Sequence, residues 1–298
     1  MSISIPLGDP PVGFFSDTFK ILHFYMKAKK EHKVLALDSR KWMFTVSKGW
    51  NDWFTSFENA PKPWKAFPSN WSRKANEMIF KWKDYQKALP QVFSYQPYLL
   101  ELAEKVKKEM GLETGEYAAI FIRRGCKIKF ESEYFDTKLY VDRIFKEWPE
   151  CKKIFVQTDD YRAYLEVRGL VPGDVAVFTT CPEDKLGVFV FEYDPLKDHR
   201  IDKPENHEYL EKFKSLPPQK TLPEMSKEEL FNHVVEMLVG LHICKESKGV
   251  ALEYFSNVSR FIALAHKDGL KGIWNIDERL KFDENTLVRC PRYYPFIY

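Results

Sequence analysis

The chain has 298 residues, 44% hydrophobic and 30% charged, with 46 Lys and Arg against 43 Asp and Glu for a net charge of +3. That balance excludes a disordered chain and gives no basic block for non-specific nucleic-acid binding, while the length suits one large or two medium domains. Five cysteines, Cys126, Cys151, Cys181, Cys244 and Cys290, are odd in number, widely spaced and without a C-x-x-C pair, which points away from a disulfide framework or zinc cage and toward a reducing compartment.

The opening MSISIPLGDPPVGFF has no basic n-region, long apolar h-region or small-residue cleavage site. No apolar run reaches the ~18 residues of a membrane span, so a cytoplasmic location with no membrane span is expected. FSDTFKILHFYMKAKKEHK spaces its apolar residues as a helix does and ends in basic residues, and VLALD after it reads as a short buried strand. Residues 39–68 carry Trp42, Trp50, Trp53 and Trp64 without a period and read as irregular surface structure. Residues 71–90 look helical, and YQPYLLELAEKVKKEMGL has a proline near its start and a glycine at its end, as a helix should.

The strongest strand is EYAAIFIRRG, which ends in two arginines and a glycine. Helical YFDTKLYVDRIFKEW, strand KKIFVQTDD, helix YRAYLEVRGL and strand DVAVFTT follow. This alternation predicts a parallel sheet in a doubly wound, nucleotide-type domain. Residues 182–225 are polar and proline-rich and read as a long loop. KEELFNHVVEMLVGLHIC then reads as a helix running into a strand, and ALEYFSNVSRFIALAHKDG as a short strand and a helix.

Ligands of open α/β sheets bind at the carboxyl ends of the strands, which singles out four segments. Arg123 and Arg124 end the first strand, where a guanidinium forks onto phosphate oxygens, or where the two form an ordinary surface pair. Lys127 and Glu131, four apart, fit phosphate neutralisation and acceptance of a hydroxyl proton, and fit equally an everyday surface pair. Asp159 and Asp160 end FVQTDD, where two acids hold a magnesium nucleotide or one caps the next helix. Ser256, in SNVSR, stands at a helix start, where it meets a phosphate or serves as a simple N-cap. The P-loop, G-x-G-x-x-G, G-x-S-x-G, H-E-x-x-H and kinase motifs are missing, which removes the commonest phosphoryl, hydride and acyl-transfer readings.

Taken in order, IFIRRGCK, FVQTDD and YFSNVSR resemble the three motifs of the fucosyltransferase family of the core α1,6 and nodulation type, and more distantly the protein O-fucosyltransferases. GFFSDTFKILHFYM, VLALDSRKWMF and YQPYLLELAEKVKKEMG extend the likeness into the N-terminal half. The resemblance implies an α/β, GT-B-like fold of two Rossmann-like domains facing a cleft. We place an N-terminal α/β domain at 1–112 and a C-terminal nucleotide-sugar domain at 113–298. It further implies inverting, metal-independent transfer from a nucleotide sugar to a glycan hydroxyl, with no cofactor and no nucleic-acid partner.

In that picture Arg123 matches the diphosphate-binding arginine, with Arg124 beside it. Lys127 and Glu131 match the catalytic lysine and glutamate, and Ser256, next to Asn257, matches a phosphate-contacting serine. Asp159 and Asp160 match paired acids near the donor sugar, Tyr140 a tyrosine of the following helix, and Gly13 belongs to the first loop. Glu236 stands where the family has a guanine-reading aspartate; a carboxylate accepts both the ring N–H and the amino group of that base. Phe121 replaces the family's histidine and Cys126 its acid, which leaves both GDP-fucose and a UDP-sugar such as UDP-xylose as donors. The rival expectations are a non-catalytic glycan- or nucleotide-sugar-binding protein of the same fold, and a magnesium-dependent transferase using Asp159 and Asp160.

Overall fold

A computed structural model describes residues 2–7, 13–15, 18–57, 80–124, 134–187, 221–254 and 256–278. The chain divides into two compact units, residues 1–96 with 278–298 and residues 97–277.

In the first unit, strand β1 (Ser2–Pro6) runs parallel to β2 (Val34–Asp38), with helix α1 (Thr18–Lys30) between them in the chain. The SISIP segment is too short to show a period, and its pairing with β2 identifies it as a strand. Helix α1 buries Ile21, Leu22, Phe24 and Ala28, and sets Lys27, Lys29 and Lys30 in its last turn, where they complement the helix dipole. Helix α2 (Trp82–Val92) packs against α1; residues 71–79 and Trp64 lie outside the described residues.

The tryptophan-rich segment is core rather than surface. Trp42, Trp50 and Trp53 are all buried, and Phe14, Phe44, Phe54 and Phe93 join them. Ring centroids of Trp50 and Phe54 lie 4.5 Å apart, and those of Phe14 and Trp42 4.9 Å. The Trp53 indole donates to the Phe44 carbonyl at 2.9 Å, so its polar edge is satisfied inside the core. A helical or strand period is missing because tight turns fold the segment. Asp52 holds them by accepting from the backbone N–H groups of Val46, Ser47 and Lys48 at 2.9, 3.0 and 2.8 Å.

The second unit contains helix α3 (Pro97–Glu109), β3 (Ala118–Ile122), α4 (Thr137–Glu147), β4 (Lys153–Thr158), α5 (Tyr161–Leu170), β5 (Ala176–Thr179), α6 (Lys227–Glu246), β6 (Gly249–Leu252), α7 (Asn257–Ala265) and β7 (Ile273–Asn275). The five strands form one parallel sheet in the order β5-β4-β3-β6-β7. Every residue of β3 is buried, as expected for a central parallel strand covered on both faces. Ala118, Ile120 and Ile122 pack with Tyr140, Val141 and Ile144 of α4 and with Ala163 and Val167 of α5, and α6 packs against β3, β4 and β6. Strand order reverses between β3 and β6, so that pair of strands is the switch point at which ligands of such sheets sit.

Further features differ from the sequence expectation. LHIC, read as the start of a strand, is part of α6, which continues to Glu246 before β6 begins at Gly249. Strand β7 has only three residues, too few for a period. The boundary between units falls at Gln96/Pro97 rather than at 112/113. Helix α3 packs along α6, and that contact groups it with the second unit.

Helix α6 starts with a reciprocal capping box, Ser226 with Glu229. It lies close on the sheet because residue 240 is glycine. A Cβ there would stand 1.5 Å from the Gln157 Oε1 atom of β4. That contact lies one turn along the helix from Glu236 and fixes this acid near the carboxyl end of β4.

Candidate active site

At the carboxyl end of the sheet, Arg123 follows β3 and Asp159 follows β4. The Arg123 guanidinium donates to the Asp159 carboxylate, and the other carboxylate oxygen accepts the backbone N–H of Arg124 at 2.7 Å. Asp159 is buried, whereas the Arg123 side chain keeps 20% exposure. A carboxylate held from two sides therefore fixes a partly open guanidinium over the carboxyl ends of β3 and β4.

A second ion pair lies beside the first. Lys185, beyond β5, donates to Glu236 of α6, with the two side chains 14% and 12% exposed. Burial raises the Glu236 pKa, and the Asp159 charge adds to that rise while Lys185 opposes it. One turn earlier on α6, His233 is held well below the usual imidazole pKa, by burial first and then by the charges of Lys185 and Arg123. The Glu236 Oε1 and His233 Nδ1 atoms are both buried without a hydrogen-bond partner among the described residues.

Arg124 turns away from this cluster. Buried to 3% exposure, it donates to Thr137 Oγ1 at 2.9 Å, Glu166 at 3.2 Å and the Phe135 carbonyl at 3.3 Å, and its guanidinium lies 4.2 Å from the Tyr134 ring centroid. Tyr140 is buried in α4, where burial and the neighbouring Glu253 carboxylate raise its pKa. Glu253, directly after β6, is itself 3% exposed.

Asp160 caps α5 by accepting the Arg162 N–H at 3.1 Å and pairs with the Arg162 guanidinium. Ser256 caps α7, accepting the Val258 N–H at 3.2 Å, and Asn257 is the first residue of that helix. Ser259, one turn in, is fully buried with an unpartnered hydroxyl among the described residues. Gly13 lies in the first unit and is partly exposed. Lys127, Glu131 and Cys126 lie outside the described residues.

The structure thus brings together Arg123, Asp159 and Glu236, and adds Lys185 and His233, which the sequence reading did not single out. Lys185 sits inside a stretch whose composition says only loop. His233 has a helical signal that was visible, because it precedes Glu236 by three residues on the same face.

Another ionic cluster lies at the amino end of the sheet. Glu104, His242 and Glu246 present ligand atoms within 4.8 Å of one another, a spacing open to a metal ion. The Lys107 ammonium fills their midst, bonding Glu246, Glu104 at 3.2 Å and Thr114 at 3.0 Å. That donor set already holds its cation and ties α3 to α6.

No protein-family model matches the chain, and no curated protein matches it. Solved structures do. One is a NodZ α1,6-fucosyltransferase soaked with GDP-fucose, at 12% identity and a TM-score of 0.51 over 85% of this chain and 89% of that one. Another is the fucosyltransferase NodZ from Bradyrhizobium, at 12% identity and a TM-score of 0.50 over 84% of this chain and 88% of that one. The chain shares their α/β fold. No helix among the described residues is long and apolar enough to cross a membrane.

Proposed function

We propose that the chain is an inverting glycosyltransferase that moves a sugar, fucose or a pentose such as xylose, from a nucleoside-diphosphate donor to a glycan hydroxyl. The observation that carries this reading is Arg123. Its guanidinium is held by Asp159 over the carboxyl ends of β3 and β4 in a doubly wound sheet, with a second cation, Lys185, in the same cluster. Such a constellation suits a diphosphate, whose charge grows as the sugar leaves.

In this reading the acceptor oxygen attacks the anomeric carbon from the face opposite the leaving group. The new C–O bond forms as the bond to the diphosphate oxygen breaks, and the acceptor proton passes to Glu131. Arg123 and Lys127 stabilise the departing nucleoside diphosphate. Glu236 reads the base, and Ser256 and Asn257 meet the phosphates. In this reading the reaction uses no metal, which is supported by the pairing of Asp159 and Asp160 each with a guanidinium.

The test is thermal stabilisation by GDP, UDP, GDP-fucose, UDP-xylose and UDP-glucose, since a ligand that binds only the folded state raises Tm. Stabilisation selective for GDP supports fucose transfer; selectivity for UDP supports a different sugar on this fold. No response to any nucleotide contradicts the reading.

A second reading, a non-catalytic nucleotide-sugar- or glycan-binding protein, is favoured by Phe121. It is buried in β3 where the resemblance calls for a polar histidine. This reading predicts ligand binding with neither sugar transfer nor donor hydrolysis.

A further inference from the structure

We infer that Lys185 is an anion-binding residue for the donor's diphosphate, held by Glu236 in the free protein and exchanged from that carboxylate to the phosphates on binding. This deepens the reading of the site as one for a nucleoside diphosphate and rests on it.

Each cation of the cluster has its own acid, Arg123 with Asp159 and Lys185 with Glu236. The two pairs are not equivalent. Asp159 is fixed from a second side by the Arg124 backbone N–H at 2.7 Å, so the first pair is a rigid mount. Glu236 contacts Lys185 through Oε2, while its buried Oε1 has no hydrogen-bond partner among the described residues. Burial and the Asp159 charge both disfavour that carboxylate. Lys185, a point charge on a flexible stem, is suited to changing partners.

The chain path brings the two cations together: the Gly187 N–H donates to the Asp159 carbonyl at 2.9 Å and the Tyr161 N–H to the Lys185 carbonyl at 2.8 Å, so Lys185 and Arg123 share one volume at the carboxyl end of β4. His233, on α6 beside them, feels both charges. A diphosphate entering that volume offers the ammonium a stronger partner than Glu236. The released carboxylate is then free to accept the paired N–H groups of a guanine edge. Lys185 and Glu236 therefore couple recognition of the phosphates to recognition of the base.

The test is calorimetric titration of the whole chain with inorganic pyrophosphate and, separately, with GDP, both in EDTA. Lys185→Met is expected to weaken pyrophosphate binding about tenfold, the loss of one charge-assisted contact. Glu236→Gln keeps the side-chain shape but frees the ammonium, and is expected to tighten pyrophosphate binding severalfold while weakening GDP. Circular dichroism of both variants checks that the fold persists, and Glu236→Gln decides the matter where Lys185→Met is unstable.

Unchanged pyrophosphate affinity in a folded Lys185→Met variant, or unchanged or weaker affinity in Glu236→Gln, overturns the inference. Nucleotide binding that depends on Arg123 but not on Lys185 leaves the transferase reading standing and removes the exchange. The opposite-signed pyrophosphate effects without any nucleotide binding keep the anion site and remove the transferase reading.

Discussion

The Arg123 guanidinium and the Asp159 carboxylate are joined across the carboxyl ends of two neighbouring strands, β3 and β4. The strands set the spacing and the Arg124 N–H fixes the acid, so the arginine's direction is determined by the sheet rather than by a loop. Arg123→Ala is accordingly expected to weaken nucleotide binding by about 100-fold or more, as removal of a charge-assisted phosphate contact does. Tm should fall modestly, because the buried Asp159 loses its cation and keeps the Arg124 N–H. Titration with GDP or UDP, alongside a thermal melt, measures both.

Asp159→Asn keeps an oxygen for the Arg124 N–H but removes the charge that aims Arg123. Nucleotide affinity should fall about tenfold, less than for Arg123→Ala. A fall as large as that of the arginine variant would mean that Asp159 touches the donor itself.

Arg124 is expected to behave in the opposite way to its neighbour. Its buried contacts with Phe135, Thr137 and Glu166 tie the start of α4 to α5. Arg124→Ala should cost about 3 kcal/mol of stability, and lysine should restore little of it, since it cannot reproduce the fork. Urea unfolding of the two variants gives the comparison.

How much of this was readable from sequence depends on the residue. Helices α1, α3, α4, α5 and α6 and strands β2 to β5 follow from period and end signals over five or more residues, or four in β5. Strands β1 and β7 do not, because they are defined by neighbours distant in the chain. Arg123 and Asp159 were found because strand ends can be located from the apolar run before them. That Arg124 points into the fold while Arg123 stays partly open was not legible, since adjacent residues after a strand diverge in direction only once the next helix packs. The buried tryptophans show the same limit: aromatic side chains without a period read as surface, and only their mutual packing reveals a core.

Acid should destabilise the second unit in two stages. His266, held neutral at a pKa of about 4 by burial, contributes stability that is complete above its ordinary value near 6.5 and is lost as pH falls toward 4. His233, also depressed, adds to that window. Glu246 is held well below the carboxylate range by His242, with Lys107 also contributing, so its share persists to lower pH and fades only below about 4.5. Thermal melts from pH 7 to pH 3 should show both limbs, with His266→Gln flattening the first and Glu246→Gln the second.

Gly240→Ala tests how α6 is held. The added methyl collides with Gln157 and should cost about 1–3 kcal/mol as overpacking does. It should also weaken nucleotide binding, because Glu236 rides on the displaced turn. Urea unfolding and GDP titration of the same variant read the two effects.

The most direct measurement of the central claim is transfer itself. The purified chain is incubated in EDTA with GDP-fucose or UDP-xylose and a panel of glycan oligosaccharides, with wild type and Arg123→Ala in parallel, and products are read by mass spectrometry and the anomeric proton coupling. A glycan heavier by one sugar, with inverted anomeric configuration, is expected from the wild type alone. Transfer by Arg123→Ala at the wild-type rate would contradict it, as would nucleotide binding with no transfer and no donor hydrolysis across the panel.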